Sequence, residues 1–107
     1  MEVNLQKYTE LAEILKALAH PTRLCIVKGL IEKGECNVTH MQTCLDMPQS
    51  TVSQHLQKLK SANIIIGIRS GLEVNYRICD QRVAKLVNIL FEENINNDLD
   101  KNDYQRV

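Results

Sequence analysis

Apolar side chains recur every three or four positions along most of the chain and every second position in one short stretch, and the changes of period divide it into elements. Leu5, Tyr8, Leu11, Ala12, Leu15, Leu18 and Ala19 share one side of an amphipathic helix that runs to about Ala19. Pro21 suits the first turn of a second helix, where its missing N–H costs nothing. Leu24, Val27, Leu30 and Ile31 carry the apolar face on to a stop at Lys33 and Gly34. Asn37 is placed to cap a short third helix with Val38, Met41 and Leu45 inward, ending before Pro48. After a turn of about three residues, a fourth helix starts near Gln49 with Val52, Leu56 and Leu59 on its inner face.

Beyond Asn63 the period falls to two. The β-branched run Ile64, Ile65 and Ile66 and the turn Arg69-Ser70-Gly71 precede Leu72, Val74, Tyr76 and Ile78, which alternate with Glu73, Asn75 and Arg77. This predicts a β-hairpin with basic residues near its tip. Asp80 caps a last helix with Val83, Leu86, Val87 and Leu90 on one face. The predicted fold is mainly α with a small β-hairpin, in the order four helices, two strands, one helix. At 107 residues the chain has material for one core. The expected division is a folded domain over 1–92 and a polar, acidic tail over 93–107.

Thirteen basic and thirteen acidic residues cancel, but unevenly along the chain. From Met47 to Phe91 six basic residues stand against two acids, whereas from Glu92 onward five acids stand against two bases. A zero sum therefore does not exclude a polyanionic partner. No apolar run reaches the ~20 residues of a membrane span, and the start MEVNLQKYTE lacks the pattern of a secretory signal, so a cytoplasmic protein without a membrane partner is expected. Cys25, Cys36, Cys44 and Cys79 include no C-x-x-C pair, which predicts reduced thiols and no zinc ribbon. No Ser/His/Asp set, carboxylate pair or phosphate loop is legible, so neither an enzyme nor a cofactor is expected.

Two short helices joined by a tight turn, followed at once by a hairpin, make a winged helix-turn-helix, in which the second helix enters the DNA major groove and the hairpin reaches phosphates or the minor groove. At 100° per residue, Ser50, Gln54 and Gln57 lie opposite Val52, with Ser53 and Lys58 on the flanks. A glutamine amide pairs with adenine N6 and N7, which makes Gln54 the base-reading candidate; Ser50, Thr51 and Ser53 are short enough to let the helix approach. Lys58, Lys60 and Arg69 supply attraction to phosphates. The same polar face on a module that contacts another protein is the competing reading.

The stretch LKALAHPTRLCIVKGL, then NVTHMQTCLDMPQSTVSQHLQKLKSANII, then GLEVNYRI resembles the ArsR/SmtB family of bacterial repressors from about Leu15 to Ile78. The resemblance implies a homodimer whose first and last helices pack across the two-fold axis, reading an inverted-repeat operator in double-stranded DNA until an effector, not identified by the sequence, loosens it. It places DNA contacts on Gln49, Ser50, Ser53 and Gln54 and the wing at Arg69, Ser70 and Gly71. Apolar stripes that need cover place the dimer interface on Leu5, Tyr8, Leu11, Leu15, Val83, Leu86, Val87 and Leu90.

The family's metal sites do not carry over. Asn37 and Thr39 stand where many members have the cysteines of a thiolate box, and Asp80, Arg82, Glu93 and Asn96 stand at the positions of the pair of ligands on each last helix, so no metal is expected. The wording of PQSTVSQHL and GLEVNYRI is closer to PagR-like members, which are metal-independent. Some members sense oxidants or persulfides through one thiol on the second helix and one on the last, for which Cys25 and Cys79 are approximate matches. His40 and Cys44, four apart on the third helix, share a face next to Cys36, a spacing conceivable for three ligands of a soft metal, although cysteines in this number are more often small buried hydrophobes. His20 and His55 read as capping or packing groups.

Overall fold

The computed structural model describes residues 3–92. The predicted tail over 93–107 lies outside the described residues. Five helices, α1 (Leu5–Leu18), α2 (Pro21–Lys33), α3 (Val38–Leu45), α4 (Gln49–Ser61) and α5 (Gln81–Phe91), accompany three strands, β1 (Cys36–Asn37), β2 (Ile65–Ser70) and β3 (Glu73–Ile78). The helix boundaries follow from local chemistry. Asn37 accepts a hydrogen bond from the His40 N–H at 2.8 Å, Asp80 one from the Arg82 N–H at 3.0 Å, and Pro21 opens α2 behind His20, whose Nδ1 accepts from the Thr22 N–H at 3.1 Å. Gly34 ends α2 at φ 88°, a backbone that a side chain disfavours.

α3, the three residues 46–48 and α4 form the helix-turn-helix. Asp46 adopts a left-handed conformation (φ 53°) that turns the chain, and Pro48, in an extended conformation, is the N-cap just before α4. β2 and β3 pair antiparallel from Ile65↔Ile78 to Ser70↔Glu73, and Cys79 donates its N–H to the Ile64 carbonyl at 2.9 Å, closing the base of the hairpin. The core gathers Leu18 from α1, Ile26, Val27 and Leu30 from α2, Met41 from α3, Val52, Leu56 and Leu59 from α4, Ile64 and Ile65 from the hairpin, and Val83 and Val87 from α5.

The structure departs from the sequence reading at three points. First, the sheet has three strands in the order β1-β3-β2: Cys36 pairs with Tyr76 and Asn37 with Asn75. Two residues are too few to show a period. Secondly, Leu72 is not an inward strand residue; with Gly71 (φ 66°) it makes the turn at the tip of the wing and is fully exposed. Thirdly, Val83 and Val87, expected at a dimer interface, are 2% and 0% exposed inside the protomer. They point at α2 and the core, so only Leu86 and Leu90 of that stripe remain near the surface.

Gly67 in β2 is where the sheet tolerates no side chain. A Cβ there would lie 2.9 Å from Val74 Cγ1 and 3.0 Å from Tyr76 Cε1. Gly67→Ala is therefore expected to overpack the wing and lower stability by about 1–3 kcal/mol, read as a shift of the urea midpoint with unchanged slope.

Candidate nucleic-acid interface

α4 is amphipathic in a strict sense: Val52, Leu56 and Leu59 are 0%, 2% and 0% exposed, which fixes the rotation of the helix and turns the opposite side outward. That side carries Gln49, Ser50, Ser53, Gln54 and Lys58, all exposed, with Thr51 half-buried at its edge. Among the described residues Gln49, Ser50, Ser53 and Gln54 make no side-chain hydrogen bond, and Lys58 forms no ion pair. Gln57 instead donates to Ser61 Oγ at 3.3 Å. No side chain caps α4 at Pro48, so its first N–H groups also point outward without a side-chain partner. Arg69 and Ser70 end β2 and Gly71 begins the turn, all exposed, at the wing tip beside Leu72.

The helix is held from behind by a contact that periodicity does not show. Arg23 donates through Nε to the Ala17 carbonyl at 2.6 Å and through Nη2 to the Lys16 carbonyl at 3.4 Å, satisfying the end of α1, while its Nη1 lies 3.5 Å from His55 Nδ1 on α4. The His55 ring is tilted against His20, their centroids 4.6 Å apart. Burial first, then the neighbouring His20 and Arg23, hold the His55 pKa below its ordinary value of 6.5.

Metal ligation finds no fit among these residues. Arg82 donates to Asp80 Oδ1 from Nε at 3.0 Å and to Oδ2 from Nη2 at 2.7 Å, so the carboxylate already holds a cation and a helix N-terminus. The side-chain hydrogen bond from Arg82 is the main reason the Asp80 pKa lies below the usual carboxylate range. Asn37 is committed as a cap. Among the described residues no group of three His, Cys, Asp or Glu is arranged to hold an ion. The two candidate redox thiols are also not brought to one site: Cys25 lines a pocket between α2 and α3, whereas Cys79 lines a cleft between α2, the hairpin and α5 and donates to the Asn63 carbonyl at 3.2 Å.

This arrangement defines a winged helix-turn-helix protein, and comparison with known proteins agrees. Residues 18–68 match a helix-turn-helix domain family. The chain is 47% identical over 75 residues to the transcriptional repressor SmtB of Mycobacterium tuberculosis, covering 70% of this chain and 55% of SmtB, so it spans about half the length of that relative. It is 43% identical over 79 residues to the transcriptional repressor PagR of Bacillus anthracis, covering 74% of this chain and 79% of PagR. The crystal structure of PagR superposes with a TM-score of 0.75 at 39% identity, covering 81% of this chain and 99% of that one. A homodimeric winged helix-turn-helix DNA-binding domain from Mycobacterium bovis gives a TM-score of 0.75 at 34% identity, covering 80% of this chain and 79% of that one. The chain belongs to the ArsR/SmtB family of helix-turn-helix repressors. No described helix is long and apolar enough to cross a membrane.

The His55 contact carries a pH signature. Unfolded chain takes up a proton near pH 6.5 that the folded site resists, so the unfolded state binds more protons below that value and stability falls as the pH drops through about 6.5. Urea unfolding between pH 7.5 and pH 5 is expected to show this loss, and His55→Gln to flatten it.

Proposed function

We propose that this chain is a transcriptional repressor that occupies double-stranded operator DNA as a homodimer, without catalytic chemistry. α4 enters the major groove and the wing reaches the flanking backbone or minor groove. The observation that carries the reading is the uncommitted polar face of α4, Gln49, Ser50, Ser53 and Gln54, held outward by a fully buried apolar stripe and flanked by Lys58 and Arg69. Gln54 reads a base, the serines let the helix approach, and Lys58, Arg69 and the α4 N-terminal amides take phosphates. An inverted-repeat operator follows from a two-fold dimer, each copy presenting one α4.

The dimer rests on a surface the protomer leaves uncovered. Leu5, Tyr8, Leu11 and Leu15 of α1 and Ile89, Leu90 and Phe91 of α5 are exposed, and a groove of about 200 Å³ between these helices is lined by Leu11, Leu15 and Leu86. A second copy of the same two helices covers both faces, and the homodimeric neighbour from Mycobacterium bovis supports that arrangement.

Fluorescence anisotropy with DNA from the region upstream of the protein's own coding sequence tests the assignment. Gln54→Ala is expected to weaken specific binding by about 1–3 kcal/mol while leaving non-specific binding nearly unchanged, and Lys58→Ala to weaken both and reduce the salt slope by about one. Equal losses on both DNAs for Gln54→Ala would remove it from base reading, and affinity insensitive to salt would favour a protein partner. Sedimentation at micromolar concentration is expected to give a dimer, with Leu15→Glu and Leu90→Glu giving folded monomers.

A further inference from the structure

Three of the four cysteines, scattered over twenty positions of sequence, meet at one place. Cys25 of α2, Cys36 of β1 and Cys44 of α3 line a single cavity of about 110 Å³ between α2 and α3, whose other walls are mostly aliphatic and include Met41. Gly29 forms part of its floor. A glycine inside a helix costs about 1 kcal/mol relative to alanine, and a Cβ at this position would meet nothing within 4 Å, so packing does not require it. At Gly29 the cavity wall is bare backbone with open space beside it.

The chemistry of the cavity narrows its occupant. The thiols are not arranged as ion ligands among the described residues. Cys36 precedes α3 and Cys44 lies in its last turn, which at a rise of ~1.5 Å per residue separates their Cα atoms by roughly 10 Å, beyond the ~4.4–6.8 Å that a disulfide spans. Cys36 and Cys44 are thus not a disulfide pair, and an apolar guest that reacts with a single thiol fits the mostly aliphatic lining. An engineered apolar cavity of ~150 Å³ holds benzene, so about 110 Å³ suits a body of four or five heavy atoms. Cys44 is exposed, and its Sγ lies 3.4 Å from His40 Nε2, an acceptor it shares with Lys33 Nζ at 2.7 Å. Cys36 is more buried and turned to the Asn37 carbonyl at 3.5 Å; burial raises its pKa against the opposing pull of Lys33.

We propose that the cavity between α2 and α3 is a modification site for a small apolar α,β-unsaturated carbonyl compound, with Cys44 as the acceptor thiol, and that the adduct loosens the protein on DNA. The Cys44 proton passes to water, since His40 Nε2 already accepts from Lys33 Nζ; the sulfur adds to the β-carbon, forming the C–S bond as the C=C π bond opens. The electron pair moves to the carbonyl oxygen as an enolate, and the proton returns to the α-carbon, so atoms and electrons balance with no further reagent. The adduct wedges α3 away from α2. Because α3 packs more closely on α4 than on α2 and the turn between α3 and α4 is only three residues, the displacement strains the start of α4. This second half rests on the DNA-binding reading above.

The full chain, with all four thiols present, is treated with limiting methyl vinyl ketone or with acrylamide, which offers the same acceptor double bond on a polar amide of equal size. Adducts are mapped by peptide mass spectrometry, and each rate is divided by that reagent's rate with glutathione. At Cys44 the normalised rate of the ketone is expected to exceed that of the amide by about tenfold or more, the discrimination an apolar pocket gives, with no such excess at Cys79. Gly29→Leu, which fills the cavity, is expected to abolish the excess, and Gly29→Ala, for which there is room, to reduce it in a folded protein. The same preference at Cys44 and Cys79, or an excess unchanged in both variants, overturns the site. The ketone adduct is expected to weaken DNA binding about tenfold; an adduct at Cys44 that leaves affinity unchanged overturns the coupling. If untreated protein binds no DNA, the DNA-binding reading fails, and the mapping still decides the cavity.

Discussion

The structure depends on the burial of one face of α4. Val52, Leu56 and Leu59 occupy spacings of four and three, so they stack along one line of the helix and enter the core between α2, α3 and the hairpin. Each removes apolar area worth about 1.5–3 kcal/mol from water. The sum anchors the helix, and the geometry does more: a rotation by one residue, 100°, would bring Ser53, Gln57 and Lys60, or Thr51, His55 and Lys58, into an apolar interior with no hydrogen-bond partner. The polar face is outward because the alternative leaves buried polar groups unsatisfied. α3, with only Met41 buried, has no such hold and takes its place from α4 and the three-residue turn.

The ordered helices and the hairpin were legible because each is announced locally. Asn37, Asp80, Pro21 and Gly34 act on their immediate neighbours, and a period of three to four or of two needs only a short window. β1 was not legible, since two residues have no period and its partner Tyr76 is forty positions away. Leu72 continued the alternation of β3 on paper, yet the register Ser70↔Glu73 leaves it in the turn. The apolar stripe of α5 was read correctly as a stripe and wrongly as a single surface. Val83 and Val87 lie against the core, while Leu90, two turns beyond Val83 on nearly the same line, is exposed in the last turn of α5, a distinction that depends on where α5 docks.

The polar positions on the outer face of α4 were legible for the same local reason, whereas the contacts that support it were not. Nothing in the spacing of Arg23, Ala17 and His55 says that one guanidinium meets both the end of α1 and the side of α4. The three thiols around the α2–α3 cavity are likewise a product of chain folding. Asp80 shows both kinds of information at once: its capping role is readable from position, while its engagement by Arg82, which removes it from the pool of metal ligands, depends on a side-chain rotamer.

The Arg23 junction sets a length. In the proposed dimer α1 belongs to the two-fold axis and α4 to the DNA, and between them the protomer is joined at the end of α1 by hydrogen bonds of 2.6 Å and 3.4 Å from one planar, rigid group. A planar fork with fixed donors has little freedom to stretch, so the span between the two reading helices behaves as a ruler built into each subunit. Under the proposed dimer, the half-site spacing along the duplex is set in part by this joint.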